Sequence, residues 1–270
     1  MATGSRSQQG VESIEVGGRL LVALARAGSA MMLRDLAAVA GMAPAKAHRY
    51  LVSLARLGLV EQRADSGHYD VGPFAVQLGL AGLARLDPLR ISLAELDGLR
   101  DALGHTVALA VWGNHGPTIV RWLESNAPVS ASLRTGAVMP LTRSATGRLF
   151  LAFLPESAWA DTLKTELLAN QRHGLEPTTA AQARALIELT RRHGLGRVNG
   201  DLVAGISSLA APVFDANGTM VLGVIALGYR ASFDSAWAGP VAGALRDFAR
   251  AVSARLGGDQ AGVSAPNLPL

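Results

Sequence analysis

The sequence predicts an α+β protein of two domains. A winged helix-turn-helix comes first, and a larger domain with an antiparallel sheet flanked by helices follows. Three observations carry the prediction. Between Leu33 and Val71 a short helical pattern, a tight turn, a second helix with a basic face and a small hairpin succeed one another. After Asp87-Pro88 the texture changes to strand-like runs separated by helical ones. Late in the chain, Asp215-Ala-Asn-Gly218 joins two apolar runs, and Asn-Gly favours the positive φ of a tight hairpin.

The elements follow in order. Residues 1–10 are small and polar and read as a flexible arm. From Val11 to Ala27 the apolar positions Ile14, Leu20, Leu21 and Leu24 recur at helical spacing, and Gly28 ends that helix. Leu33–Ala40 gives a second helix stopped by Gly41. A third runs from Pro44, well placed as a first-turn proline, to Leu57. Its apolar stripe is Ala47, Leu51 and Leu54 with Tyr50 beside it, and its other face carries Lys46, Arg49, Ser53 and Arg56. Leu59–Arg63 and His68–Val71 form the two strands of a hairpin through Ala-Asp-Ser-Gly. A linker helix from about Pro73 to Leu86 carries Phe74, Leu78 and Leu83.

In the second half, a helix over Leu89–Leu103 precedes strands at Thr106–Trp112, Thr118–Leu123 and Val129–Arg134. Helices follow at Ala145–Phe153 and around Glu156–Leu168. Thr179-Ala-Ala-Gln182 makes a capping box for a helix ending near His193-Gly194. The strands Gly205–Phe214 and Thr219–Leu227 flank the Asn-Gly turn, and an amphipathic helix covers Ala236–Leu256. The predicted domains are therefore 11–72 for the winged helix-turn-helix, 73–88 for the linker helix and 89–257 for the second domain. Residues 258–270 are a Gly/Pro/Ser-rich, disordered tail.

Composition narrows the function classes. The 270 residues are 49% hydrophobic, enough for packed cores. Lys and Arg number 25 against 21 Asp and Glu, a net charge of +4. That excess is compatible with a nucleic-acid partner without demanding one. Only Lys46 and Lys164 are Lys, so the positive charge is nearly all Arg, which suits bidentate phosphate and guanine contacts. There is no Cys, which removes disulfides, thiolate metal sites and cysteine nucleophiles. The six His are scattered and predict no metal site. No Gly-x-Ser-x-Gly, His-Glu-x-x-His or phosphate-loop sequence occurs, so no enzyme and no cofactor is predicted. The N-terminal stretch lacks a signal peptide's apolar core, and the longest apolar run, Met220–Leu227, falls far short of the roughly 20 residues of a membrane helix. A cytoplasmic protein with no membrane partner is expected.

On the basic helix, Lys46 and Arg49, with His48, are placed to reach base edges or phosphates, and Arg56 and Ser53 to hold the backbone. Arg63 and His68 on the hairpin would follow the flanking groove. Residues 1–72 hold eight basic and six acidic side chains, a net charge of only +2. So modest a field predicts weak binding by one copy. It points to a homodimer or dimer of dimers on pseudo-palindromic double-stranded DNA, with the linker helix and first helix as dimer surfaces.

Five segments also carry a resemblance to a known family. Val11-Glu12-Ser13 opens the chain's first helix, and Gly41 to Leu51 (GMAPAKAHRYL) spans the basic helix. Tyr69-Asp-Val-Gly72 ends the wing. Pro140 to Ala152 (PLTRSATGRLFLA) and Ile206 to Asp215 (ISSLAAPVFD) lie in the second domain. In this order and spacing the chain resembles the IclR-type bacterial transcriptional regulators. The resemblance implies a winged helix-turn-helix, a linker helix and a GAF-like α/β effector-binding domain. It departs from the family at Ala45-Lys46, at Arg148, at Gly200-Asp201 and at Ile225 and Leu227.

The resemblance implies an effector pocket built on Met139 and on Ser144, Ala145, Thr146 and Gly147. The opposite wall would come from Asn199, Asp201, Ser208, Ile225 and Leu227. A helix N-terminus with small side chains suits a carboxylate. Ile225 and Leu227 would make the pocket apolar. The expected effector is thus a small carboxylic acid with an aromatic or apolar body, and the expected role is ligand-responsive control of a catabolic or transport operon. The competing reading is a GAF-like sensor or enzyme that uses the N-terminal module for protein contacts.

Overall fold

The computed structural model describes residues 10–83, 85–125 and 134–258, and the chain divides into two compact units that meet at Arg85 and Leu86. In the first unit, helices α1 (Glu12–Ala27), α2 (Leu33–Val39) and α3 (Pro44–Arg56) precede strands β1 (Val60–Gln62) and β2 (Tyr69–Val71) and helix α4 (Pro73–Leu83). Leu20, Leu24, Leu36, Ala47, Leu51 and Tyr69 meet in its core, so each of the three helices buries one stripe. Gly41, with φ of 65°, takes the left-handed conformation that turns α2 into α3. The hairpin strands are shorter than the sequence pattern suggests. Beyond their ends the Arg63 amide still donates to the His68 carbonyl at 2.8 Å.

The second unit contains helix α5 (Pro88–Leu103), strands β3 (Thr106–Gly113) and β4 (Gly116–Leu123), and helices α6 (Ala145–Phe153), α7 (Glu156–His173) and α8 (Ala180–His193). Strands β5 (Gly196–Asn199), β6 (Ile206–Phe214) and β7 (Met220–Tyr229) and helix α9 (Pro240–Arg255) complete it. The five strands form one antiparallel sheet in the order β4-β3-β7-β6-β5. On one face Leu109, Leu209, Val213, Leu222 and Val224 pack under α5 and α9. On the other, Ala108, Ile119, Ala210 and Ile225 pack under Ala145, Leu149 and Phe150 of α6. Helices α7 and α8 pack behind α6 through Leu151, Trp159, Leu163 and Ile187. Because both sheet faces are covered, β6 and β7 read as continuous apolar runs rather than alternating ones.

Two expectations change, and a third lies outside the described residues. Strand β5 went unpredicted: it is four residues long, and Gly, Arg and Asn are poor strand formers. The last helix begins at Pro240 rather than Ala236, because Gly239 before the proline is extended and Pro240 opens the first turn. The strand predicted at 129–134 lies outside the described residues except for Arg134, which is in no strand. The predicted arm and tail fall outside them too, save Gly10 and Gly258.

Candidate functional site

Two features stand out, one in each unit. The first is the solvent face of α3. Burial of Ala47 and Leu51 fixes the helix's rotation, and Tyr50 packs on α1, where a Cβ on Gly17 would sit 3.1 Å from its ring. Lys46, Arg49, Ser53 and Arg56 then share one exposed stripe, spaced three, four and three residues apart. Lys46, Arg49 and Arg56 form no ion pair among the described residues.

The other four predicted residues have intramolecular partners. His48 Nδ1 lies 3.3 Å from the Tyr69 hydroxyl, tying α3 to the wing. Ser53 donates to the Arg49 carbonyl at 3.3 Å. His68 Nδ1 lies 3.2 Å from the Ser66 carbonyl. Arg63 pairs with Asp70 at 2.7 Å across the hairpin. The Val71 amide, and after it Arg63, hold the Asp70 carboxyl below the usual carboxylate range. Of the seven predicted residues, three are cations with no ion pair among the described residues and four are braced from within.

The second feature is a cavity of about 40 Å3 between α6 and the sheet, several times the space one water needs. Six predicted residues line it: Met139, Ser144, Thr146, Ser208, Ile225 and Leu227. Four others do not. Ala145 is buried against β5, where a Cβ on Gly196 would lie 2.0 Å from the Ala145 carbonyl. Gly147 packs under the preceding loop, and a Cβ there would sit 2.2 Å from the Pro140 carbonyl. Asn199 Oδ1 accepts from the Ser207 hydroxyl at 2.7 Å. Asp201 pairs with Arg148. Sequence spacing indicated the right loops without showing which side chains turn away. Ala108, Ile119, Trp122, Val198, Leu202, Val203 and Ile206 complete the wall unpredicted. The strand register could have found two of them, since Trp122 pairs with Ala108 and Ala108 with Ile225.

The start of α6 is capped from within. Ser144 accepts the Gly147 amide at 2.8 Å and donates to the Pro140 carbonyl at 2.6 Å, which commits its one proton. The amides of Ala145 and Thr146, at the first two helical positions, have no intrahelical acceptor. Glu166 of α7 holds the loop before this turn, accepting the Thr142 amide at 2.8 Å.

Arg148 stitches α6 to the sheet edge. Its Nε donates to the Thr142 carbonyl at 2.7 Å, Nη1 to the Arg197 carbonyl at 2.6 Å, and Nη2 to Asp201. Burial pushes the Arg148 pKa down against the pull of Asp201. Burial also pushes Asp201 up, but the Asn199 amide and Arg148 outweigh it and leave the carboxyl below its ordinary value. Among the described residues no three His, Asp or Glu side chains converge as metal ligands would, and no helix is long and apolar enough to cross a membrane.

Comparison with known proteins finds two family matches along the chain. The family described as "IclR helix-turn-helix domain" matches residues 13–64, and "Bacterial transcriptional regulator IclR C-terminal" matches residues 81–254. The glycerol operon regulatory protein of Streptomyces griseus is 32% identical over 252 residues, 92% of this chain and 97% of that protein. The acetate operon repressor of Salmonella typhimurium is 28% identical over 213 residues, 76% of this chain and 75% of its own. The crystal structure of HmgR from Pseudomonas aeruginosa is 39% identical with a TM-score of 0.85, covering 92% of this chain and 99% of that one. The matched families are regulators of transcription rather than enzymes, in line with the absence of an enzyme motif.

Proposed function

Since the chain belongs to the IclR family of bacterial transcriptional regulators, we propose that it is a cytoplasmic, effector-controlled regulator of a catabolic or transport operon. The two relatives named for glycerol and acetate operons support that operon class. The observation that carries the effector reading is the apolar cavity closed at one end by the first turn of α6. Among the described residues, no charged side chain lines it. An acid would set its carboxylate at the first turn of α6, where Thr146 lines the cavity and the helix dipole is positive. The remaining wall, Ile119, Met139, Val198, Ile225 and Leu227, suits an aromatic or apolar body.

On the DNA side, Lys46, Arg49 and Arg56 contact the operator, and the braced His48, Ser53, Arg63 and His68 shape α3 and the wing around it. Phe74, Val76, Leu78 and Leu80 on α4 are 47%, 51%, 59% and 61% exposed; spaced two apart, they put apolar surface on two sides of the helix, with Phe74 and Leu78 on one that a second copy would cover. Two copies place two α3 helices on a pseudo-palindromic site. The test is a panel of small carboxylic acids scored for melting temperature and for affinity to the DNA beside the protein's own gene. Acids that raise the first and change the second are expected. A panel that moves neither contradicts the reading.

A further inference from the structure

Trp122 lies on β4, at one edge of the five-stranded sheet, and borders the cavity. Its backbone register sets it in one row with Ala108 and Ile225, both also in the cavity wall. Its indole Nε1 is shielded from solvent and has no hydrogen-bond partner among the described residues. Trp159 shows the ordinary arrangement, its Nε1 donating to the Leu154 carbonyl at 3.2 Å. An indole N–H only donates. Left unpaired in a buried site it costs free energy that an arriving acceptor recovers.

The first turn of α6 packs over β5, at the opposite edge of the sheet, where Gly196 leaves room for Ala145. Trp122 and, from the first turn of α6, Ser144 and Thr146 therefore border the same cavity from different sides. A single small ligand would present a different group to each.

We propose that Trp122 is a specificity-determining residue of this pocket: its indole N–H donates to an oxygen on the body of the effector. The effector is thus an oxygenated acid, carrying a hydroxyl or carbonyl on its apolar body in addition to the carboxylate. This rests on the reading of the cavity as the effector site. An acceptor at that position satisfies Trp122, whereas a plain hydrocarbon body leaves it unpaired, and the difference discriminates between otherwise similar acids.

Matched probe pairs test it: benzoate with 4-hydroxybenzoate, and cyclohexanecarboxylate with 4-oxocyclohexanecarboxylate. Binding is measured by calorimetry on the full chain. The indole N–H resonances of 15N-tryptophan-labelled protein are followed in parallel, the Trp122 signal being assigned by elimination with Trp→Phe variants at Trp112, Trp159 and Trp237. The oxygenated member of at least one pair should bind about tenfold more tightly than its partner, the worth of one recovered hydrogen bond. It should also move the Trp122 resonance downfield while Trp159 stays put. Trp122→Phe should erase the tenfold preference.

Binding of acids with the Trp122 resonance unmoved overturns the assignment and leaves the effector reading intact. An equal loss for both members of a pair in Trp122→Phe does the same. Absence of binding by every probe overturns both. Should Trp122→Phe fail to fold, the resonances of the unaltered chain decide the question.

Discussion

Arg49 and Asp201 show how far a side chain's role depends on what it touches. Arg49 lies mid-stripe on α3, exposed and with no ion pair among the described residues, so its guanidinium is free for a phosphate or a base edge. Arg49→Ala should weaken binding to the chain's own operator by about 1–3 kcal/mol in a fluorescence-anisotropy titration. Arg63→Ala should cost less, because Arg63 must first leave Asp70. Asp201 was legible as a functional residue only in position. A lone acid in a Gly-bounded loop looks like a ligand contact, and its partner Arg148 stands 53 residues earlier in sequence. The pairing sets a pH dependence whose sign is fixed. The folded pKa of Asp201 lies below the unfolded value. Its contribution is therefore present above about pH 4 and is lost as pH falls through the folded value. Urea unfolding between pH 3 and pH 6, as an approximate window around that value, should show a steeper fall for the unaltered chain than for Asp201→Asn.

The start of α6 illustrates what patterns reveal about elements and what they hide. Thr179-Ala-Ala-Gln182, the Asn-Gly hairpin and the apolar stripe of α3 are local signals, and each became the element it predicts. Ser144 announced itself in the same way as a cap. That its one proton is committed to Pro140, leaving the amides rather than the side chain to donate to a ligand, depends on a turn geometry no spacing encodes. Strand β5 was hidden for the opposite reason. Its four residues have little strand propensity, and pairing with β6 and close packing of Gly196 under α6 create it. Ser144→Ala should destabilise the second unit by about 1 kcal/mol in denaturant unfolding. Gly147→Ala should cost about 3 kcal/mol or more, since the added methyl meets the Pro140 and Leu141 backbone. On α4, Leu78→Glu should shift sedimentation from dimer to monomer, because it puts a charge beside Phe74 on the apolar side that a second copy is proposed to cover.

Across the molecule, a modestly charged DNA-binding unit is joined to an effector unit whose cavity has no charged wall residue among the described ones. The net charge of +2 over residues 1–72 gives one copy little purchase on DNA, so affinity has to come from doubling the contacts. The order of domains and the basic stripe were plain in the chain itself. The cavity's far wall was not, because Trp122, Ala108 and Ile225 are brought into one row only by pairing between strands distant in sequence. The central claim is that α3 reads a specific operator and that an acid in the cavity changes that reading. One anisotropy titration tests it most directly: the full chain against the DNA beside its own gene and against scrambled DNA of equal length, each with and without a saturating oxygenated acid. Binding to the first should be about a thousandfold tighter than to the second, with a several-fold change on adding the acid. Equal affinity for both DNAs, unmoved by the acid, would contradict it.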